Sequence, residues 1–185
     1  MKEDCGMKQF NLVATLADGG RFPALLGELA AFGEFRKTEF FGVVLGQVAE
    51  PLEVFEAIRA ARNASPRAFA DLGRLIPVAE VLHFTVDSLA EEAIRAIRPH
   101  LARLAGHSFY VRLERRGFKG KIVSPEAERL LDAFILEATG ASGQPGRVDF
   151  ADPDLIVAIE TFGERAGIGW LSRELRGRFP FVRVA

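Results

Sequence analysis

Cysteine is almost absent from this sequence. Its 185 residues include one, Cys5, which excludes an internal disulfide and a multi-cysteine metal site and argues against redox chemistry. Histidine is equally sparse: His83, His100 and His107 are too dispersed for metal-ligand spacing. No apolar run approaches the roughly 20 residues that a membrane helix requires. The opening MKEDCGMKQF mixes both signs of charge where a signal peptide would have an apolar core. These absences predict a soluble, cytoplasmic protein with no membrane partner. Nucleotide-binding loops are missing too. GFKGK lacks the earlier glycine and the hydroxyl residue of a phosphate-binding loop, and no GxGxxG follows a strand. Ser142, in TGASGQPG, lacks the strand, turn and helix of a nucleophile elbow. No cofactor, metal or catalytic constellation is expected.

What is present is enough apolar material for a core. Hydrophobic residues make up 49% and charged residues 26%, which fits one large domain or two small ones and excludes wholesale disorder. The formal net charge is only −1, yet the window from Arg112 to Lys121 sums to +4 and leaves the remainder at −5. Anion attraction is therefore the property of a patch.

Strand and helix patterns interleave, which predicts an α/β (α+β) fold. FNLVATL alternates with period two, Pro23 and the leucines after it suit a helix, and KTEFFGVVLGQV reads as one strand. Pro51 opens a second helix, and VAEVLHFTV reads as a strand after a connector, so the first half runs strand, helix, strand, helix, strand. Ser88 and Glu91 have capping-box spacing, while Pro99 should kink or divide the helix they start. SFYVRLE is a strand with Tyr110 and Arg112 on one face, and LIVAIET is apolar enough to be a central strand. The aspartates of VDFADPD, Asp149, Asp152 and Asp154, flank Pro153 and suit a turn better than a magnesium site.

The chemistry concentrates between the SFYVRLE strand and the next helix. Ser124 and Pro125 are expected as N-cap and first helical residue, so Arg115, Arg116, Lys119 and Lys121 precede a helix N-terminus whose amides and dipole favour an anion. Gly117 and Gly120 would let a phosphate approach the backbone, or serve only a turn with positive φ, the basic residues then being ordinary solvated charges. Arg36 and Lys37, with Arg173, Arg176 and Arg178, could extend the basic surface. Phe40 and Phe41 offer stacking platforms for unpaired bases or, for at least one of them, core packing.

Together SFYVRLERRGFKGKIVSPEAERLLDAFI and VDFADPDLIVAIETFGERAGIGW resemble the THUMP domain, an RNA-binding module of tRNA-modifying proteins, over about residues 78–177. FNLVATL, KTEFFGVVLG and RLIPV are similar to the ferredoxin-like domain that accompanies it, particularly in stand-alone adaptors for tRNA cytidine acetylation. The resemblance implies a ferredoxin-like domain over 1–76 packed against a THUMP domain over 77–185. It also implies tRNA as partner, held at the acceptor stem and 3′ end, with a separate modifying enzyme doing the chemistry. The expected RNA-binding residues are Arg36, Lys37, Tyr110, Arg112, Arg115, Arg116, Lys119, Lys121 and Ser124. Relatives carry a catalytic domain beside the module, for which 185 residues leave no room, so a non-catalytic role is expected. A small enzyme on a ferredoxin-like scaffold, or an interaction subunit whose basic patch meets an acidic partner, are the other readings.

Overall fold

The computed structural model describes Met7 and residues 9–185; Cys5 lies outside them. The chain divides into two units, Met1–Val78 with Arg178–Arg183, and Ala79–Gly177 with Val184–Ala185.

In the first unit, the strand expected from FNLVATL is β1 (Leu12–Leu16), followed by α1 (Phe22–Leu29). KTEFFGVVLGQV is not one strand. It splits into the end of β2 (Gly33–Lys37), a tight turn, and β3 (Val43–Val48), because Gly42 adopts φ 77° and reverses the chain. Gly33 starts β2 at a position where a β-carbon would stand 2.3 Å from the Gln47 carbonyl. Helix α2 (Pro51–Ala64) and β4 (Leu72–Pro77) complete the unit. The order β2-β3-β1-β4, antiparallel throughout, with a helix after β1 and after β3, is the ferredoxin-like arrangement. The C-terminal residues finish its core. Phe179 and Phe181 are buried with their rings 5.5 and 6.1 Å from that of Phe55, and the Leu75 amide donates to the Phe181 carbonyl. Burying each ring contributes about 2–3 kcal/mol.

In the second unit, β5 (Glu80–His83) leads into α3 (Leu89–Ile97). Ser88 occupies the N-cap of α3 but makes no side-chain capping bond; its hydroxyl accepts from the Thr85 amide instead. At Pro99 the helix tightens into a 3₁₀ segment, Arg98–Arg103, as a missing amide in mid-helix demands. Then follow β6 (Ser108–Glu114), α4 (Ser124–Ala141), β7 (Arg147–Val148), β8 (Leu155–Phe162), β9 (Arg165–Ser172) and the short α5 (Arg173–Arg178). The sheet runs β5-β9-β8-β6-β7, with β8 central and buried along its whole length. Phe109, Val111 and Leu113 of β6 join Val157, Leu131 and Ile135 in a core that includes α3 and α4.

Strand β6 has an edge problem that α4 solves. It pairs with β8 along its length, but β7 covers only Ser108 and Phe109 on the other side. The amides of Val111 and Leu113 beyond that point are met by carboxylates one helical turn apart: Asp132 at 2.9 Å and Glu128 at 2.8 Å. Two side chains at i and i+4 thus replace a strand and close the edge. Asp132 is buried, and burial pushes its carboxyl up to about 6, with nearby Glu128 adding to the rise and the Val111 amide opposing it.

The loop after β6 is pinned at two points. Arg116 inserts its guanidinium into an ion pair with Glu160, with the side chains only 10% and 2% exposed, while its amide donates to Thr161 Oγ1 at 2.8 Å. Phe118, at φ 48°, sets its ring 6.0 Å from that of Phe84 at the edge of the core. Gly117 and Gly120 have φ 90° and 78°, as a reversing loop requires.

Two outcomes follow for stability. Because the folded pKa of Asp132 is raised, the native state binds a proton that the unfolded chain releases at lower pH, so this group's contribution falls as pH rises through about 6. Asp132→Asn keeps an acceptor for Val111 and should flatten that fall, raising stability at pH 8 by at most about 3 kcal/mol in urea melts. Asp132→Ala, which orphans the amide, should lie about 1–3 kcal/mol below the Asn variant. Arg116→Ala breaks the buried pair and should cost about 3 kcal/mol, while the exposed Lys121→Ala should stay within about 0.5 kcal/mol of wild type.

Candidate nucleic-acid interface

The C-terminal end of β6 and the start of α4 enclose a surface cleft of about 290 Å³ lined by Arg112, Leu113, Glu114, Arg115, Ser124, Pro125 and Glu128. Period-two geometry places Tyr110, Arg112 and Glu114 on one face of β6. The edge cap described above brings the first turn of α4 alongside. Three of the expected residues, Arg112, Arg115 and Ser124, therefore meet at one site.

Ser124 is the first residue of α4 and not its cap. Val123 caps the helix with extended backbone and no side-chain bond, and Pro125 falls one place further in. Ser124 accordingly lines the cleft without a capping role. Arg129 donates from Nε to the Pro125 carbonyl at 3.0 Å, which holds the first turn.

The charge around this cleft is more balanced than the sequence window implies. Arg112 stands 3.8 Å from Glu128, and its Nε is buried without a hydrogen-bond partner among the described residues. Arg115 turns one guanidinium nitrogen onto the Gly117 carbonyl at 2.6 Å. Arg116 points into the protein and binds Glu160, so its charge is spent on anchoring. The outward cations of the loop are Lys119 and Lys121, both exposed and neither ion-paired among the described residues. Anchors inward and lysines outward make a fixed platform for solvated positive charge.

Tyr110 carries the site along the strand. Its ring lies 5.4 Å from that of Phe150, which is 72% exposed, and the two form an aromatic ledge. Burial raises the Tyr110 hydroxyl above its usual value, while Arg176 and Arg112 pull it down. Phe150 escaped the sequence reading because VDF looks like one strand; the strand stops at Val148 and the ring turns out. Asp149 accepts from the amides of Ala151 and Asp152, which depresses its carboxyl, and so shapes the turn that displays Phe150.

The remaining candidates are placed elsewhere. Arg36 and Lys37 lie on β2 in the first unit, Arg36 with Nε 2.5 Å from Glu34 and Lys37 with its ammonium 4.2 Å from the centre of the Phe22 ring. Arg173 binds Asp152 and Asp154, Arg176 donates to the Leu171 and Pro153 carbonyls, and Arg178 pairs with Glu56. Asp154 also accepts from the amide and hydroxyl of Ser108, both at 2.8 Å, and these bonds hold its carboxyl below the usual range. The Asp-Pro-Asp segment is thus a fastened turn. Among the described residues, no group of three or more His, Cys, Asp or Glu side chains could hold a metal ion, and no helix is long and apolar enough to cross a membrane.

No curated protein matches the chain by sequence. Among solved structures it is similar to TrmN from Thermus thermophilus, with TM-score 0.59 and 26% identity over 86% of this chain and 44% of that one. It shares its fold with PH1313 from Pyrococcus horikoshii Ot3, at TM-score 0.60 and 12% identity, covering 88% of this chain and 54% of that one. A 4-thiouridine synthetase solved in complex with RNA and ATP is similar at TM-score 0.53 and 13% identity, over 88% and 41% of the respective chains. The chain spans about half the length, or less, of each of these proteins. The family model for the THUMP domain matches residues 84–170, from the end of β5 to the end of β9. The second unit of this chain carries a THUMP domain.

Proposed function

We propose that this chain binds tRNA and serves as a non-catalytic adaptor, presenting the acceptor stem and 3′ end to a separate tRNA-modifying enzyme, a cytidine acetyltransferase being one candidate. The observation that carries the reading is the THUMP domain itself, whose cleft at the start of α4 gathers Arg112, Arg115 and Ser124 beside a pinned loop that displays Lys119 and Lys121. Its likeness to an RNA-complexed 4-thiouridine synthetase supports the same class of partner.

The chemistry of the site fits a phosphate backbone. Guanidinium forks and lysine ammonium groups meet phosphate oxygens, and the positive end of the dipole of an eighteen-residue helix lies at the same spot. Glu114 and Glu128 temper the attraction, so affinity depends on contacts spread over several phosphates rather than on one deep site. The Tyr110 and Phe150 ledge adjoins the cleft and suits an unstacked base. An adaptor role rests on what the side chains are committed to. The carboxyl raised to about 6, Asp132, is a shifted titratable group of the kind enzymes exploit, but here it closes a strand edge.

Fluorescence anisotropy of intact tRNA, and of the same tRNA without its terminal CCA, tests the reading at two salt concentrations. Tighter binding to the intact form is expected, with no turnover by the chain alone. Equal affinity for both would remove 3′-end capture, and no binding at low salt would remove the function. Replacing Lys119 and Lys121 together with alanine should weaken binding and reduce the log-log salt slope by about 1.4–1.8, since each phosphate contact contributes about 0.7–0.9. An unchanged slope would exclude the loop from the interface.

A further inference from the structure

The most exposed large hydrophobic side chain described is on the first unit. Phe41 is 93% exposed, at the tip of the turn between β2 and β3. Hydrophobic rings in that position are commonly mobile, but this turn is tied at Thr38, Phe40, Gly42 and Val43. Thr38 donates its amide to the Val43 carbonyl, and its hydroxyl accepts from the Phe40 amide at 3.1 Å. Val43 returns an amide bond to Phe40, and Gly42 offers its carbonyl to the Leu16 amide of the neighbouring strand. The backbone that carries Phe41 is therefore fixed before any partner arrives.

The ring is also oriented. Its edge meets Phe22 at a centroid distance of 6.3 Å with the planes at 90°, and the Lys37 ammonium lies 4.2 Å over that same Phe22 ring. Phe22 is thus the shared neighbour of the Lys37 ammonium and the Phe41 ring. Its neighbours along the tip are polar or charged: Arg36, Lys37, Thr38 and Glu39. Phe40, the adjacent aromatic, turns partly inward.

We infer that Phe41 is a stacking site for an unpaired nucleobase of RNA, separate from the cleft in the THUMP domain. This rests on the tRNA-binding reading above. One fixed ring in a polar rim matches a single flat π-system, whereas a protein groove or an acyl layer calls for several adjacent apolar side chains. From Glu34 to Glu39 the formal charges cancel, so the tip has little to offer an anionic bilayer. Stacking needs no net charge, because every base presents a π-face and phosphates are neutralised elsewhere.

The full chain is titrated against two probes, a blunt RNA duplex and the same duplex with a single-stranded 3′ extension. Phe41→Ala touches no core, so its thermal melt should match wild type. It should lose on the order of 5- to 150-fold in affinity for the extended probe, the worth of one stacked base, and less than about twofold for the blunt duplex. Phe41→Trp should restore most of the loss. Equal affinities of wild type and Phe41→Ala for the extended probe would overturn the site while leaving tRNA binding intact. Equal losses on both probes, or a Phe41→Ala defect confined to phosphatidylserine vesicles, would also overturn it. If wild type binds neither RNA, the function proposed above fails and this site fails with it.

Discussion

The edge of β6 is the constraint on which the second unit depends. A strand paired on one side only leaves amides that must be satisfied, and here β7 ends after two residues. Helix α4 takes over through Glu128 and Asp132, whose spacing of four places both carboxylates on one helical face. That arrangement fixes more than an edge. Once residues 128 and 132 are tied to Leu113 and Val111, the first turn of α4 lies beside the C-terminal end of β6, and the cleft between Arg112 and Ser124 follows. The cleft is thus a consequence of how the sheet is closed. Asp132 bears the cost, since an ionised carboxylate held out of water is resisted.

The same economy governs the basic loop. Five cations in ten residues look like a uniform patch, but they divide by task. Arg116 is consumed by Glu160 and by the bonds of its backbone to Thr161, and Arg112 shares its charge with Glu128. What faces solvent without an ion-pair partner among the described residues is the lysine pair. A guanidinium suits the inward role because it can satisfy several acceptors at fixed angles with less hydration to surrender, whereas an ammonium on a flexible stem suits a backbone whose phosphates vary in position. Arg116 is therefore the anchor of this loop, while Arg115 lines the cleft and the two lysines extend into solvent.

How much of this is legible in the sequence depends on the range of the interaction. The apolar run LIVAIET identifies a central strand, and the stripe on residues 127–138 identifies α4, because periodicity reports burial directly. Local turn chemistry is partly readable. Gly42 marks a bend, but that it is a full reversal shows only in the antiparallel pairing of β2 with β3. Long-range commitments leave no local mark. The ion pair of Arg116 spans 44 positions, and Phe179 and Phe181 join the first unit across more than a hundred residues from Phe55. Ser124 shows a subtler limit. A serine before proline has the composition of a helix cap, yet Val123 takes the cap position and its carbonyl accepts the amides of Glu126 and Ala127.

Both units solve the display of an aromatic ring by similar means. Phe150 is turned out by an aspartate that gathers two amides of the following turn, and Phe41 by a threonine that closes the hairpin. In each case a short polar side chain buys rigidity for the backbone, and the ring it presents rests against a second aromatic, Tyr110 or Phe22. Cations stand near both: Arg112 and Arg176 act on Tyr110, and Lys37 covers Phe22. A pair of rings with a cation beside it thus recurs on two different sheets, each held by its own turn.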